Sequence, residues 1–156
     1  MFKHRLKRGL RALYARVLYH TGLHVLVDKI APRRLFILYG HCVADRAING
    51  DLPADMKVSR DKLTRVLTLL GKRFDLVTIG EGARRLENGT GRSLVALSMD
   101  DGYRDNAEIL PAVLAPLDAK ATVFLESRPL DERRVNWSHK FFPLVDRQGV
   151  QGFAEA

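Results

Sequence analysis

Ser93-Leu94-Val95-Ala96-Leu97-Ser98-Met99-Asp100-Asp101-Gly102-Tyr103-Arg104-Asp105-Asn106 is the stretch whose reading decides the fold. Leu94 to Leu97 is apolar without alternation, the pattern of a strand buried on both faces of a parallel sheet. The run stops at two adjacent carboxylates followed by Gly102. In α/β folds, ligands bind at the carboxyl ends of the strands, so Asp100 and Asp101 occupy the position of an active site. Two neighbouring acids repel unless a cation or a proton lies between them. A divalent metal on one, with the other acting as general base, resolves that conflict. The structural alternative is a helix cap, with Asp100 or Asp101 at the start of a helix whose first turn holds Asp105 and Glu108.

The surrounding segments alternate between strand and helix patterns. Leu35 to Tyr39 is an apolar, partly aromatic strand bounded by Gly40, and it delivers His41. Asp45 to Lys57, with Asn49-Gly50 and Pro53, is expected as a polar loop at the same edge. Ser59 caps a helix whose buried stripe is Leu63, Val66, Leu67 and Leu70 and whose end is Gly71. Phe74 to Ile79 is the next strand and Ala83 to Glu87 a small helix closed by Asn88-Gly89. After the aspartate pair, Ala107 to Leu117 is expected as one helix with Pro111 near its first turn, followed by a strand over Ala121 to Leu125. Strands and helices linked this closely predict an α/β fold with a parallel sheet and right-handed crossovers.

A chain of 156 residues with 46% hydrophobic content buries a single core. Lys and Arg number 26 against 18 Asp and Glu, and the surplus is local. Met1 to Arg34 holds nine Lys/Arg and the single acid Asp28, whereas the remainder holds seventeen of each sign. A neutral body without interleaved aromatic and basic residues argues against nucleic acid as a partner. The single cysteine, Cys42, excludes an internal disulfide and leaves two readings open, a small buried residue first and a reactive thiol second.

Residues 1–34 read as a basic amphipathic helical segment, separate from the domain over residues 35–156. Phe2, Leu6, Leu10, Leu13 and Val17 share one helical face, with Lys3, Lys7, Arg8, Arg11 and Arg16 around the rest. Such a helix either lies on an anionic membrane surface or docks its stripe on the body of the domain. Val17 to Val27 is too short to span a bilayer and is interrupted by His20, Gly22 and His24. No clean secretory signal is present, so the expected location is cytoplasmic, or peripheral at the inner membrane face, rather than secreted. Asn88-Gly89-Thr90 and Asn136-Trp137-Ser138 match the glycosylation pattern, here taken as coincidence.

Ser98-Met99-Asp100-Asp101-Gly102-Tyr103-Arg104-Asp105-Asn106, followed by Lys120-Ala121-Thr122-Val123-Phe124-Leu125, resembles the polysaccharide deacetylase family of NodB-like carbohydrate esterases. Their first motif reads [ST]-F-D-D-G, commonly continued Y-x-D-N, with an A-T-F-F strand after the next helix. Met99 and Val123 replace two phenylalanines of that pattern, and the resemblance runs from about Leu35 to Trp137. It implies the first part of a distorted β/α barrel and hydrolysis of acetyl groups, N-acetyl before O-acetyl, on a polysaccharide or oligosaccharide. It further implies Asp100 as catalytic base, Asp101 as metal ligand, and a divalent metal, usually zinc, held by one Asp and two His. Gly40-His41-Cys42-Val43 is similar to the family's Y-H-x-V site, where His41 either lines the substrate pocket or supports its rim.

The histidine motif departs from the family. His20-Thr21-Gly22-Leu23-His24 matches H-[ST]-x-x-H in letters but precedes the first strand instead of following the aspartates, so no ligand role is carried onto it. His139, in Val135 to Phe142, lacks a second histidine at metal-binding spacing and reads as a loop or partner contact. With one family ligand placed, the chain is expected to be incomplete or inactive as a deacetylase and not to bind the metal tightly. The alternative is a non-catalytic carbohydrate-binding or membrane-associated remnant.

Overall fold

The computed structural model describes residues 2–30, 32–44, 52–89 and 91–154. It divides into two units, Met1–Pro32 and Arg33–Ala156. The first unit holds α1 (Phe2–His20) and α2 (Leu23–Ile30). The basic segment is thus two helices rather than one. The break falls at Gly22, whose φ of 71° is a left-handed value that glycine adopts without steric cost. The Thr21 hydroxyl donates to the Val17 carbonyl at 2.7 Å and closes the end of α1.

The second unit runs β1 (Leu35–Gly40), β2 (Cys42–Val43), β3 (Lys57–Val58), α3 (Arg60–Gly71), β4 (Asp75–Val77), α4 (Ile79–Glu87), β5 (Leu94–Met99), α5 (Arg104–Glu108), α6 (Leu110–Leu114), β6 (Ala121–Val123), α7 (Ser127–Asp131) and α8 (Ser138–Ala154). All strand pairings are parallel. β5 is the axis. β1 pairs along its whole length, Leu35 opposite Leu94 through Gly40 opposite Met99. On the other edge two short strands follow one another: β4 faces Leu94 to Ala96, and β6 faces Leu97 to Met99. The Ile79 amide donates to Thr122 Oγ1 at 3.0 Å where one strand gives way to the next.

All six β5 residues are buried, and four of them divide between two clusters. Leu94 and Ala96 pack with Val77, Leu35 and Ile79, while Leu97 and Met99 pack with Val43, Leu63, Leu67, Leu110, Val113 and Leu114. The continuous apolar run is therefore a consequence of burial on both faces. On the first face α4 comes close because Gly82 has no side chain: a Cβ there would meet Leu35 Cδ1 at 2.7 Å.

Several expected elements shift. α3 begins with the Ser59 hydroxyl accepting from the Lys62 amide at 3.3 Å and ends at Gly71, as its caps imply. Its buried residues are Leu63 and Leu67, and Val66 is 38% exposed, so the stripe is narrower than the apolar spacing. α4 starts at Ile79 rather than Ala83 because Thr78 is its N-cap, the hydroxyl accepting from the Glu81 amide. The helix expected over Ala107 to Leu117 is two short helices, α5 and α6, continued by a 3-10 turn over Ala115–Leu117. Pro111 has no N–H to give to Ala107, which weakens the ladder where the break occurs. The strands expected over Phe74 to Ile79 and Ala121 to Leu125 are three residues each, Asp75–Val77 and Ala121–Val123. Part of the segment expected as a loop before Lys57 is ordered: Ala54–Met56 forms a 3-10 turn and Lys57–Val58 pairs with Cys42–Val43. Residues 45–51, including Asn49-Gly50, lie outside the described residues.

In α5, Asp105 is 4% exposed, and burial pushes its carboxyl pKa up against opposing hydrogen bonds from the Val43 and Asn106 amides and the Cys42 thiol. Cys42 is accordingly a buried core thiol.

Leu67→Ala should lower unfolding stability by about 2–5 kcal/mol, because Leu67 is 1% exposed inside the larger cluster. Val66→Ala should stay within about 0.5 kcal/mol of the parent in urea titrations, although the two residues are sequence neighbours. Folded Asp105 holds its proton to a higher pH than an unfolded aspartate, so ionising it costs stability. That cost is absent below the ordinary carboxylate pKa and grows as pH rises towards the raised one. Asp105→Asn should therefore lose less stability than the parent on going from acid to neutral pH, and parallel pH profiles of the two proteins would contradict this.

Candidate functional site

The candidate site lies where β1 and β5 end together. Gly40 is opposite Met99, so the next residues, His41 and Asp100, leave the sheet side by side. Two hydrogen bonds hold the end of β5: the Asp100 amide donates to the Gly40 carbonyl at 2.8 Å, and the Phe124 amide donates to the Met99 carbonyl at 2.8 Å. Asp100 is half-buried, and Ser98 Oγ donates to its Oδ1 at 3.3 Å. The backbone position of this carboxylate is thus set from both neighbouring strands.

The chain then turns through two left-handed residues, Asp101 (φ 68°) and Gly102 (φ 67°). Aspartate is among the few side chains that tolerate this region, and non-glycine residues held there concentrate at functional sites. Gly102 is required on two grounds, its positive φ and the Leu125 side chain, with which a Cβ at this position would clash. The turn moves Asp101 off the strand direction of Asp100. Neither acid caps the following helix. The N-cap of α5 is Tyr103, with no side-chain cap bond, so the capping alternative fails.

Two residues of α5 support this edge from beneath. Asn106, 6% exposed, donates through Nδ2 to the His41 carbonyl at 3.1 Å, and Asp105 holds β2 through the Val43 amide. Asp105 was expected as an ordinary first-turn acid. Its burial has no periodic signal, because a D-N pair at a helix start looks the same on a solvated face.

Tyr103 and His139 extend the site. Tyr103 has a buried hydroxyl with no hydrogen-bond partner at ordinary distance among the described residues. Burial pushes its pKa up to about 12, the nearby Ser138 hydroxyl opposing this and the charge of Asp101 adding to it. The His139 ring meets the Tyr103 ring edge-on, with centroids 5.6 Å apart. α8 delivers it there: the Asn136 carbonyl oxygen Oδ1 accepts from the Ser138 amide at 2.9 Å at the helix start. His139, set aside on spacing alone, thus packs on a residue of the aspartate turn.

The His20/His24 pair lies in the other unit. His24 Nδ1 is 2.9 Å from the Leu18 carbonyl oxygen, and its ring stacks on Tyr19 at 5.4 Å between centroids. These contacts give His24 a structural role at the corner between α1 and α2. Among the described residues there is no group of three His, Cys, Asp or Glu able to hold a metal ion.

No protein-family model and no curated relative matches the sequence. A solved structure does: the Streptococcus pyogenes deacetylase PplD in complex with acetate is similar over 74% of this chain and 53% of its own length, with a TM-score of 0.50 and 19% identity. The chain therefore spans about half the length of that deacetylase. At this identity the likeness concerns the fold alone, an α/β arrangement with a parallel sheet that is consistent with part of a barrel.

Proposed function

We propose that this chain carries the acidic part of a metal-dependent deacetylase site of the polysaccharide deacetylase type, acting on acetyl groups, N-acetyl by preference, of a polysaccharide or oligosaccharide. The observation that carries this reading is the meeting of His41, Asp100 and the left-handed Asp101 at the carboxyl edge of a fully buried parallel strand, with neither acid used as a cap. The deacetylase-like fold supports it.

In this reading Asp100 is the general base. Its amide is tied to Gly40 and its carboxylate accepts from Ser98, so the oxygen that takes a proton from attacking water is oriented before substrate arrives. Asp101, turned away from the strand axis, is a metal donor, and His41 lines the pocket for the sugar. Tyr103, with its pKa pushed up to about 12, keeps its proton at neutral pH and acts there as a donor, never as a base. Asp101 supplies one ligand where the family type needs three, and no third donor joins it among the described residues. These residues do not by themselves fit a resident zinc ion.

Exposed apolar side chains flank the sheet: Phe36, Ile37 and Tyr39 on β1, and Val123, Phe124 and Leu125 at β6. Such surface fits a sheet completed by a further segment or partner, which would also bring the remaining donors. A second reading, a carbohydrate-binding module without chemistry, is favoured by Trp137, which is exposed and packs against Phe141 and Phe142 as an aromatic platform.

The 156-residue chain, supplied with zinc, should bind no stoichiometric metal and release no acetate from acetylated chito-oligosaccharides or acetylated xylan. Acetate release that disappears in Asp100→Asn would show that the site is complete after all. In any longer form that contains the histidine donors, Asp101→Asn should lose metal and activity together. There Asp100→Asn should retain metal and lose about a hundred- to ten-thousand-fold in rate. Equal metal loss in both variants would overturn the division of roles.

A further inference from the structure

We infer that the helices of residues 2–30 form a docking element for an anionic lipid surface, a function separate from the aspartate site. At 100° per residue, Leu10, Leu13, Tyr14 and Val17 fall within an arc of about 100° on α1. All four are exposed, at 58%, 60%, 66% and 49%. Leu23, Val25 and Leu26 of α2 are exposed as well. A water-facing helix has no physical reason to keep a continuous apolar stripe of this size, and exposed patches of the kind mark interaction surfaces.

Charge selects the partner. Met1–Pro32 contains seven Lys/Arg and one acid, Asp28. Lys7 and Arg11 lie on one flank of the stripe and Arg16 on the other, all exposed. An apolar stripe bordered by cations, with tyrosines at Tyr14 and Tyr19, matches a bilayer interface, where acyl chains take the stripe and anionic headgroups the rim. A duplex nucleic acid would use the cations and leave the leucines in water. No helix of the described residues is long and apolar enough to cross a membrane, so the element lies on the surface.

The corner between the helices is built to last. The Gly22 carbonyl accepts from the Val25 amide at 2.9 Å, and His24 is held by the Leu18 carbonyl and the Tyr19 ring. α2 therefore starts in a defined direction from the end of α1.

The test uses the full chain with vesicles of phosphatidylcholine, with and without phosphatidylglycerol. Sedimentation with the phosphatidylglycerol vesicles is expected, weakening as salt is added, with no comparable binding to phosphatidylcholine alone. Replacing Leu10, Leu13 and Val17 together by Gln keeps every charge and should reduce the bound fraction's partition coefficient by at least about tenfold. Because that variant alters a helix, a second probe reads the same contact without removing it. Tyr14→Trp in a Trp137→Phe background should show blue-shifted indole emission on phosphatidylglycerol vesicles. Unchanged partition of the Gln variant, an indole that stays in water, or tighter binding to a DNA duplex than to the vesicles would each overturn the inference.

Discussion

Burial of β5 on both faces is the constraint on which the unit over Arg33–Ala156 depends. A strand whose six side chains are all removed from water needs a helix layer on each side and a hydrogen-bonded partner on each edge. α3 and α6 supply one layer and α4 the other, the latter only because Gly82 lets it approach Leu35 and Val77. β1 covers one edge, and the other is shared by β4 and β6. Neither of these three-residue strands could cover that edge alone. Their succession leaves no gap in the ladder, and the Ile79 to Thr122 hydrogen bond joins them.

The same constraint places the acids. Because β5 is locked on both edges up to Met99, the first residues free to leave the sheet are Asp100 and Asp101. Their different backbone conformations then give two adjacent carboxylates two directions. One continues the strand, next to Ser98; the other swings aside at φ 68°. Two acids on a regular strand would also point apart, but to opposite faces of the sheet. The left-handed turn instead returns the chain at once into α5, whose Asp105 and Asn106 reach back under β2 and His41. Burying a carboxylate there raises its pKa, a cost accepted where hydrogen bonds to backbone amides tie a short strand to a helix.

Sequence and structure part company mainly where periodicity was asked to do more than it can. The stripe of α3 includes Val66 by spacing, yet the groove beside β5 accepts only Leu63 and Leu67. The helix expected from Ala107 to Leu117 has apolar residues at plausible intervals, but Pro111 removes an amide donor inside it and the segment splits. His24, in a five-residue stretch that matches a ligand motif in letters only and was given no ligand role, is a helix-corner residue, held by Leu18 and Tyr19. His139 looks isolated and packs against Tyr103.

What the sequence by itself determined is local in its physics. The unbroken apolar run of Leu94 to Leu97 implies two-sided burial, Ser59 and Gly71 bracket α3 through backbone capping, and the spacing of Leu10, Leu13 and Val17 makes α1 amphipathic. The position of Asp100 and Asp101 at the end of a buried parallel strand follows from the same run. Only the tertiary structure decided that β4 and β6 divide one edge of β5, that Gly82 is a packing position, that neither acid is a helix cap, and that His41, Tyr103 and His139 gather around the aspartate turn. These are pairings between segments far apart in the chain. Periodicity reports which face of an element is apolar, but which distant face it meets is settled by the packing and hydrogen-bond energy of the assembled sheet.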